Sequence, residues 1–176
     1  MSKDSADTSL LDLLDLSQLN CLNESDEHTL KSILGGKTRS RDSSQYLLSD
    51  ADEQLVLNIT FNQAVRIRSL VIHTANAEEG PKAIKLLVNR PNIGFEDVED
   101  ASEGEVAQTL ELSEADVREG KPIPLRFVRF QAVNSLHIFV ASNQSGADET
   151  RIDAVDVFGI PVEATKDLSG LKKQEE

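Results

Sequence analysis

The chain has 176 residues, enough for about one domain with a real core. Hydrophobic residues make up 39%, which excludes both a disordered acidic chain and a membrane bundle. A formal charge of −13 argues against nucleic acid and anionic membranes as partners, because both need clustered Lys and Arg.

The opening MSKDSADTS lacks the basic-then-apolar layout of a secretory signal, so an intracellular protein is expected. Residues 1–10 read as a flexible N-terminus, residues 11–165 as the domain and residues 166–176 as a loose tail. Ser9-Leu10-Leu11-Asp12 has the form of a capping box. Behind it, Leu10, Leu13, Leu14 and Leu16 form one face of a short helix, read as an arm packed on the domain.

Residues 19–28, LNCLNESDEH, hold the only cysteine, Cys21, close to three acids and His28. A single cysteine excludes an internal disulfide and a thiolate-rich zinc site. A cysteine nucleophile needs electropositive neighbours, and these are acidic, so Cys21 reads as a small buried apolar residue. Asn23 and Ser25 suit hydrogen-bonded turns. Three Asn-x-Ser/Thr triplets, at Asn23, Asn58 and Asn143, read as chance. Residues 35–46, GGKTRSRDSSQY, read as a flexible loop, and the spacing of Gly35-Gly36-Lys37-Thr38 does not make a phosphate loop.

Ser49-Asp50-Ala51-Asp52-Glu53 is an acidic cluster without the offsets of a calcium loop. It reads as a solvated turn paired with an arginine, with Arg126, Arg129 and Arg151 as candidate partners. Strand signals then dominate. QLVLNITF puts Leu55, Leu57, Ile59 and Phe61 on one face and Val56, Asn58 and Thr60 on the other. AVRIRSLVIHT changes phase between Ile67 and Leu70, which predicts a bulge near Ser69. KAIKLLVN turns Ile84, Leu86 and Val88 inward, and NRPNIG is a turn.

Residues 96–119 carry ten acids and one base, Arg118. A strand is predicted over Val106–Leu112 and a helical turn from Ser113 to Asp116, ended by Gly120 and Pro122. LRFVRFQAV, SLHIFVAS and TRIDAVDVFG read as three further strands, with Asn134 between the first two and NQSGADE as a loop before the last. His73 and His137 fall in separate strands, with no acidic or hydroxyl neighbour at a spacing that implies a triad. Seven or so short strands with little helix indicate an all-β sandwich or jelly roll with short helical turns.

Six stretches in order carry a resemblance: Cys21–Ser25, Ser49–Leu55, Phe61–Gln63, Gly80–Lys82, Leu125–Gln131 and Ser142–Gly146. Together they resemble the PITH domain, the C-terminal module of a proteasome-associated thioredoxin-like protein, also found as a stand-alone plant and algal protein. The motif positions include Cys21, Asn23, Asp50, Asp52, Glu53, Arg126 and Arg129. The resemblance implies a galactose-binding-like jelly roll. It also implies a protein-association role with the 26S proteasome regulatory particle as partner, and a cytoplasmic or nuclear location. With no Cys-x-x-Cys in the sequence, disulfide reductase activity is not expected to carry over.

Three functions are weighed. The first is a non-enzymatic interaction module with no cofactor or metal. Its contact surfaces are the acidic belt (Glu96, Asp97, Glu99, Asp100, Glu103, Glu105) and the loop with Asn143, Gln144, Asp148 and Glu149. The second is a small-ligand or glycan-binding domain, disfavoured because there is no Trp and only Tyr46 as a flat platform outside the strands. The third is an enzyme using Cys21 or a histidine.

Overall fold

The computed structural model describes residues 7–41, 44–90, 93–102 and 104–162. The residues 1–6 of the expected N-terminus, Glu103 and the expected tail 166–176 lie outside the described residues. Ten strands carry the fold: β1 (Thr8–Ser9), β2 (Asn20–Leu22), β3 (Leu47–Leu48), β4 (Leu55–His73) and β5 (Ala83–Val88), then β6 (Gln108–Glu111), β7 (Ile123–Pro124), β8 (Val133–Val140), β9 (Arg151–Ile152) and β10 (Ala154–Pro161). Three short helices join them: α1 (Leu30–Leu34), α2 (Phe95–Glu99) and α3 (Glu114–Glu119).

β4 organises the molecule. The two predicted strands QLVLNITF and AVRIRSLVIHT are one 19-residue strand. Its first part pairs with β8 and β2, and its second part pairs with β10 and β7, all antiparallel. The sheet order is β1-β10-β4-β8-β5-β6, and β3 and β9 form a separate ladder. The predicted change of phase is a bulge: Phe158 faces Ser69 while Gly159 faces Ile67, so Arg68 has no opposite residue.

Alternation sorts the side chains as expected. Leu55, Leu57, Ile59 and Phe61 enter the main core with Ile84, Leu86, Leu136, Ile138 and Val140. On the other face Val56, Leu87 and Phe139 meet Ile93 and Val98 in a second apolar cluster. Phe95 at the start of α2 sits edge-on to Phe139, with centroids 6.2 Å apart. The helical turn predicted after Ser113 is α3, held by a reciprocal Ser113/Asp116 capping box and ended by Gly120 at φ 65°.

Three expectations are corrected. The arm at residues 10–18 packs on the domain, but as two 3₁₀ turns (Leu11–Leu13 and Leu16–Gln18) rather than a helix. Ser9 meets its start only through a long bond, its Oγ accepting the Leu11 N–H over 3.4 Å, and not through a capping box. Its hydroxyl donates to Asp156 over 2.7 Å, and Thr8–Ser9 pair with β10, so the packed region begins before residue 11. Second, LRFVRFQAV is not a strand. β7 leads straight into it and Leu125 still pairs with β4, its N–H donating to the Arg68 carbonyl, but at Val65 that edge is taken by Val133 of β8, so the chain leaves it in a 3₁₀ turn at Phe127–Phe130. That turn buries Leu125 and Phe130 and leaves Phe127 and Val128 outside. Third, Asn134 does not separate two strands. It lies within β8.

Candidate functional site

The crowded stretch at residues 19–28 is structural. Cys21 lies in β2 opposite Leu57 and is buried. Burial pushes its thiol well above the usual range, and the nearby Glu24 adds to that. The thiolate that reacts is therefore scarce. Native-state alkylation of Cys21 should run at least about ten times slower than that of a small free thiol. Labelling at the free-thiol rate would restore the reactive-cysteine reading.

Asn23, at φ 69°, ties this stretch to the acidic cluster. Its Nδ2 donates to Asp52 Oδ1 (2.9 Å) and to the Gln54 carbonyl (2.7 Å), and its Oδ1 accepts from the Ala51 N–H (3.0 Å). Glu24 accepts from the Leu30 N–H over 2.8 Å at the start of α1. Of the three arginines expected to pair with the Asp50–Glu53 cluster, two hold other acceptors with their guanidinium groups and the third is fixed through its backbone. Arg151 grips Asp153 through two 2.9 Å bonds, the Arg126 N–H donates to Gln108 and Arg129 donates to the Gly104 carbonyl. Burial opposes ionisation of Asp153. The Arg151 side chain, the Ala75 N–H and the Thr74 hydroxyl outweigh it, and the carboxyl stays below its usual range.

The proposed contact loop is also largely structural. Asn143 is buried. Its Nδ2 donates to Ala147 O, Glu149 O and Thr150 Oγ1, and its Oδ1 accepts from the Gly146 and Ala147 N–H groups. Gln144 donates to the carbonyls of Pro81 and Leu112. The Asn143 side chain and the Gln144 amide nitrogen thus hold the loop in place. Asp148 and Glu149 are exposed. In the acidic belt, Asp97 accepts from the Gly94 N–H, and Glu105 accepts from Ser102 and faces Arg90. Glu96, Glu99 and Asp100 are exposed.

Tyr46 offers no open platform. His28 stacks on its ring at 4.0 Å, and the Arg151 guanidinium lies 3.8 Å from the same centroid. Two groups that close must occupy opposite faces.

Two features escaped the sequence reading. The first is a hydrogen-bonded chain on the outward face of β8, β4 and β2, where His137 faces Asn58 and Asn58 faces Asn20. The Arg90 N–H points at His137 Nε2 (3.2 Å), so Nε2 is the acceptor and Nδ1 carries the proton. Ser135 Oγ, 2.9 Å from the same Nε2, shares its single lone pair with the Arg90 N–H, Nδ1 donates to Asn58 Oδ1 (2.7 Å), and Asn58 Nδ2 donates to Asn20 Oδ1 (2.9 Å). A hydroxyl neighbour was available after all, two residues from His137 on the same face. Burial, with Arg90 adding to it, holds the imidazole down to about 4. A group tuned this low is a weak general base at neutral pH, so the chain acts as a fixed neutral relay. The visible signal was polar residues at every second place in otherwise apolar strands: Asn58 and Thr60, Ser135 and His137.

The second is the turn at residues 126–129. Phe127 is 50% exposed and Val128 74%, and they are the large hydrophobic side chains left outside among the described residues. Exposed Arg126 and Arg129 flank them, and Arg68, at the β4 bulge, lies 5.8 Å from the Phe127 ring centre.

Among the described residues no helix is long and apolar enough to cross a membrane. Solved structures similar to this one include a family 32 carbohydrate-binding module of Clostridium perfringens NanJ in complex with galactose. It has a TM-score of 0.60 at 9% identity, covering 86% of this chain and 98% of that one. A second module from a family 31 glycoside hydrolase of the same organism gives 0.55 at 15%, covering 84% and 96%. At such identities the likeness shows the jelly-roll fold alone.

Among relatives, thioredoxin-like protein 1 of Schizosaccharomyces pombe is 40% identical over 82% of this chain, which spans 49% of its length. A PITH domain-containing protein of Drosophila melanogaster is 32% identical over 89%, spanning 71% of its length. PITH domain-containing protein 1 of Homo sapiens is 31% identical over 83%, spanning 66%. The PITH domain family matches residues 2–176, and the chain belongs to that family.

Proposed function

We propose that the chain is a non-enzymatic protein-interaction module that associates with the 26S proteasome regulatory particle. The observation that carries the reading is the pair Phe127 and Val128, held in the open on a short turn between two arginines. Exposing large apolar groups costs solvation free energy, and contact surfaces pair such groups with arginine. The turn stands out electrostatically as well. It presents Arg126, Arg129 and Arg68 on a protein of net charge −13. Its position differs from the acidic belt and the Asn143 loop favoured by the sequence. The choice of partner rests on the family resemblance.

Pull-down with purified regulatory particle tests both halves of the proposal. The wild-type chain should be retained at low salt and released as salt rises. The double substitution Phe127→Ala and Val128→Ala removes exposed side chains and should weaken retention by at least about ten-fold. No retention of the wild type in any salt would end the proteasome reading. Equal retention of wild type and variant would move the contact elsewhere.

A further inference from the structure

The hydrogen-bonded chain from Ser135 to Asn20 forms the floor of an open groove of about 760 Å³, inside the usual range for small-molecule sites. Gln18, Leu22, Asn89, Ile93 and Gly94 line it as well. Thr60 and Asn134 complete the described lining. Among the described lining residues none carries a charged side chain.

The floor is costly if its only task is to cover the sheet. One step along the same face, Val56, Leu87 and Phe139 are simply sealed by Ile93 and Val98. Here three adjacent strands instead carry Asn20, Asn58, His137 and Ser135. These groups have to satisfy one another away from bulk water, which aliphatic side chains avoid.

The direction of donation matters. Ser135 gives its proton to His137, His137 to Asn58, Asn58 to Asn20, and Asn20 to the Gln18 carbonyl over 3.1 Å. In a one-way chain each donor becomes a better acceptor. The head of the chain, Ser135 Oγ, is thus primed to accept, and the second N–H of each asparagine remains to donate. Such a surface offers both roles within a few ångströms, and the one charge the structure shows acting on it, that of Arg90 on His137, comes from outside the described lining. Hydroxyl groups both donate and accept and need no counter-charge. Leu22 and Ile93 supply apolar walls for carbon-bound hydrogens.

We propose that this groove binds an uncharged, hydroxyl-rich small molecule of monosaccharide to disaccharide size, with the Ser135–His137–Asn58–Asn20 chain as its recognition floor. This site lies on the sheet face, and neither Asn23, Tyr46 nor Asn143 is among its described lining residues. It is independent of the Phe127 turn.

The test is an amide-resolved NMR titration of the full chain. The neutral probes are galactose, N-acetylglucosamine, lactose and myo-inositol, and the charged counterparts are glucuronate and glucosamine. The expected result is a saturable shift at Asn20, Asn58, Asn134 and Ser135 with at least one neutral probe below about 0.1 M, a weak but specific affinity. The charged counterparts should bind at least about ten-fold more weakly. Asn20→Ala should weaken binding by a similar factor while leaving the spectrum folded, because Asn20 is exposed. Thr60→Val provides a second, isosteric check with the same expectation. Four results would each overturn the proposal: no groove shift with any neutral probe, shifts confined to the Asn23–Tyr46 loops, equal binding of the charged probes, or binding unchanged in both variants.

Discussion

Gly159→Ala should cost about 3–5 kcal/mol, a large share of the stability of an ordinary domain. Gly159 lies in β10 at the bulge, buried against β4. A Cβ there would stand 1.9 Å from the Arg66 carbonyl oxygen and 3.1 Å from the Ile67 Cα. Both are backbone atoms of the central strand, so no rotamer change relieves the contact. The β4–β10 ladder has to open, and β1 pairs with β10 at the same residue. Gly36→Ala is the internal control. Its Cβ would meet only the Thr38 hydroxyl, at 3.9 Å, so the change should stay within about 1 kcal/mol. Urea unfolding of the three proteins reads both values from the midpoints. If Gly159→Ala matches Gly36→Ala, the bulge tolerates a side chain and the packing described for β10 is wrong.

Acid should unfold the protein ahead of its carboxylates, through His137. In the folded state its imidazole is held down to about 4, against 6.5 when free. Between these values the unfolded chain binds the proton more readily than the native one, so stability rises with pH across that window. The loss is nearly absent above about pH 7.5 and should reach about 2–3 kcal/mol by pH 4.5. Asp153 is depressed instead, and its contribution fades only below the ordinary carboxylate value. The two effects therefore separate on the pH axis. His137→Gln should lower stability at pH 7 and flatten the slope between pH 6.5 and 4.5. If that variant does not fold, the wild-type ring resonances decide. A His137 ring that titrates near its free value would remove the buried relay.

Much of the fold could be read one strand at a time. In β4 the alternation of Leu55, Leu57, Ile59 and Phe61 against Val56, Asn58 and Thr60 fixes which face meets the core, because side chains on a strand alternate strictly. The shift of phase between Ile67 and Leu70 placed the bulge within one residue of Arg68. The Ser113/Asp116 box and Gly120 bounded α3, because capping is local chemistry.

What failed was whatever depends on distant partners. Phe127 follows Leu125 as it would in a strand, but strand formation needs a free edge, and past Arg68 the edge that β7 and Leu125 use is held by Val133 of β8. The groove eluded the reading for a related reason. Ser135 and His137 are two residues apart, yet Asn58 and Asn20 reach them only through the cross-strand registers β8–β4 and β4–β2. Registers across 79 and 38 residues of chain are tertiary facts. The Asn143 loop looked polar and therefore external. The side chain turns inward because five backbone and hydroxyl groups of its own loop need partners.

The pairing of β1 with β10 sets how the molecule responds to tension. Thr8 faces Gly159 and Ser9 faces Phe158 in an antiparallel ladder at the sheet margin, so the first and last described strands meet at one corner. A pull applied through those strands peels the ladder open rung by rung, with the load never shared among several bonds. A tether on either side would thus meet a mechanically soft seam, while β4, shielded between its neighbours, gives way last.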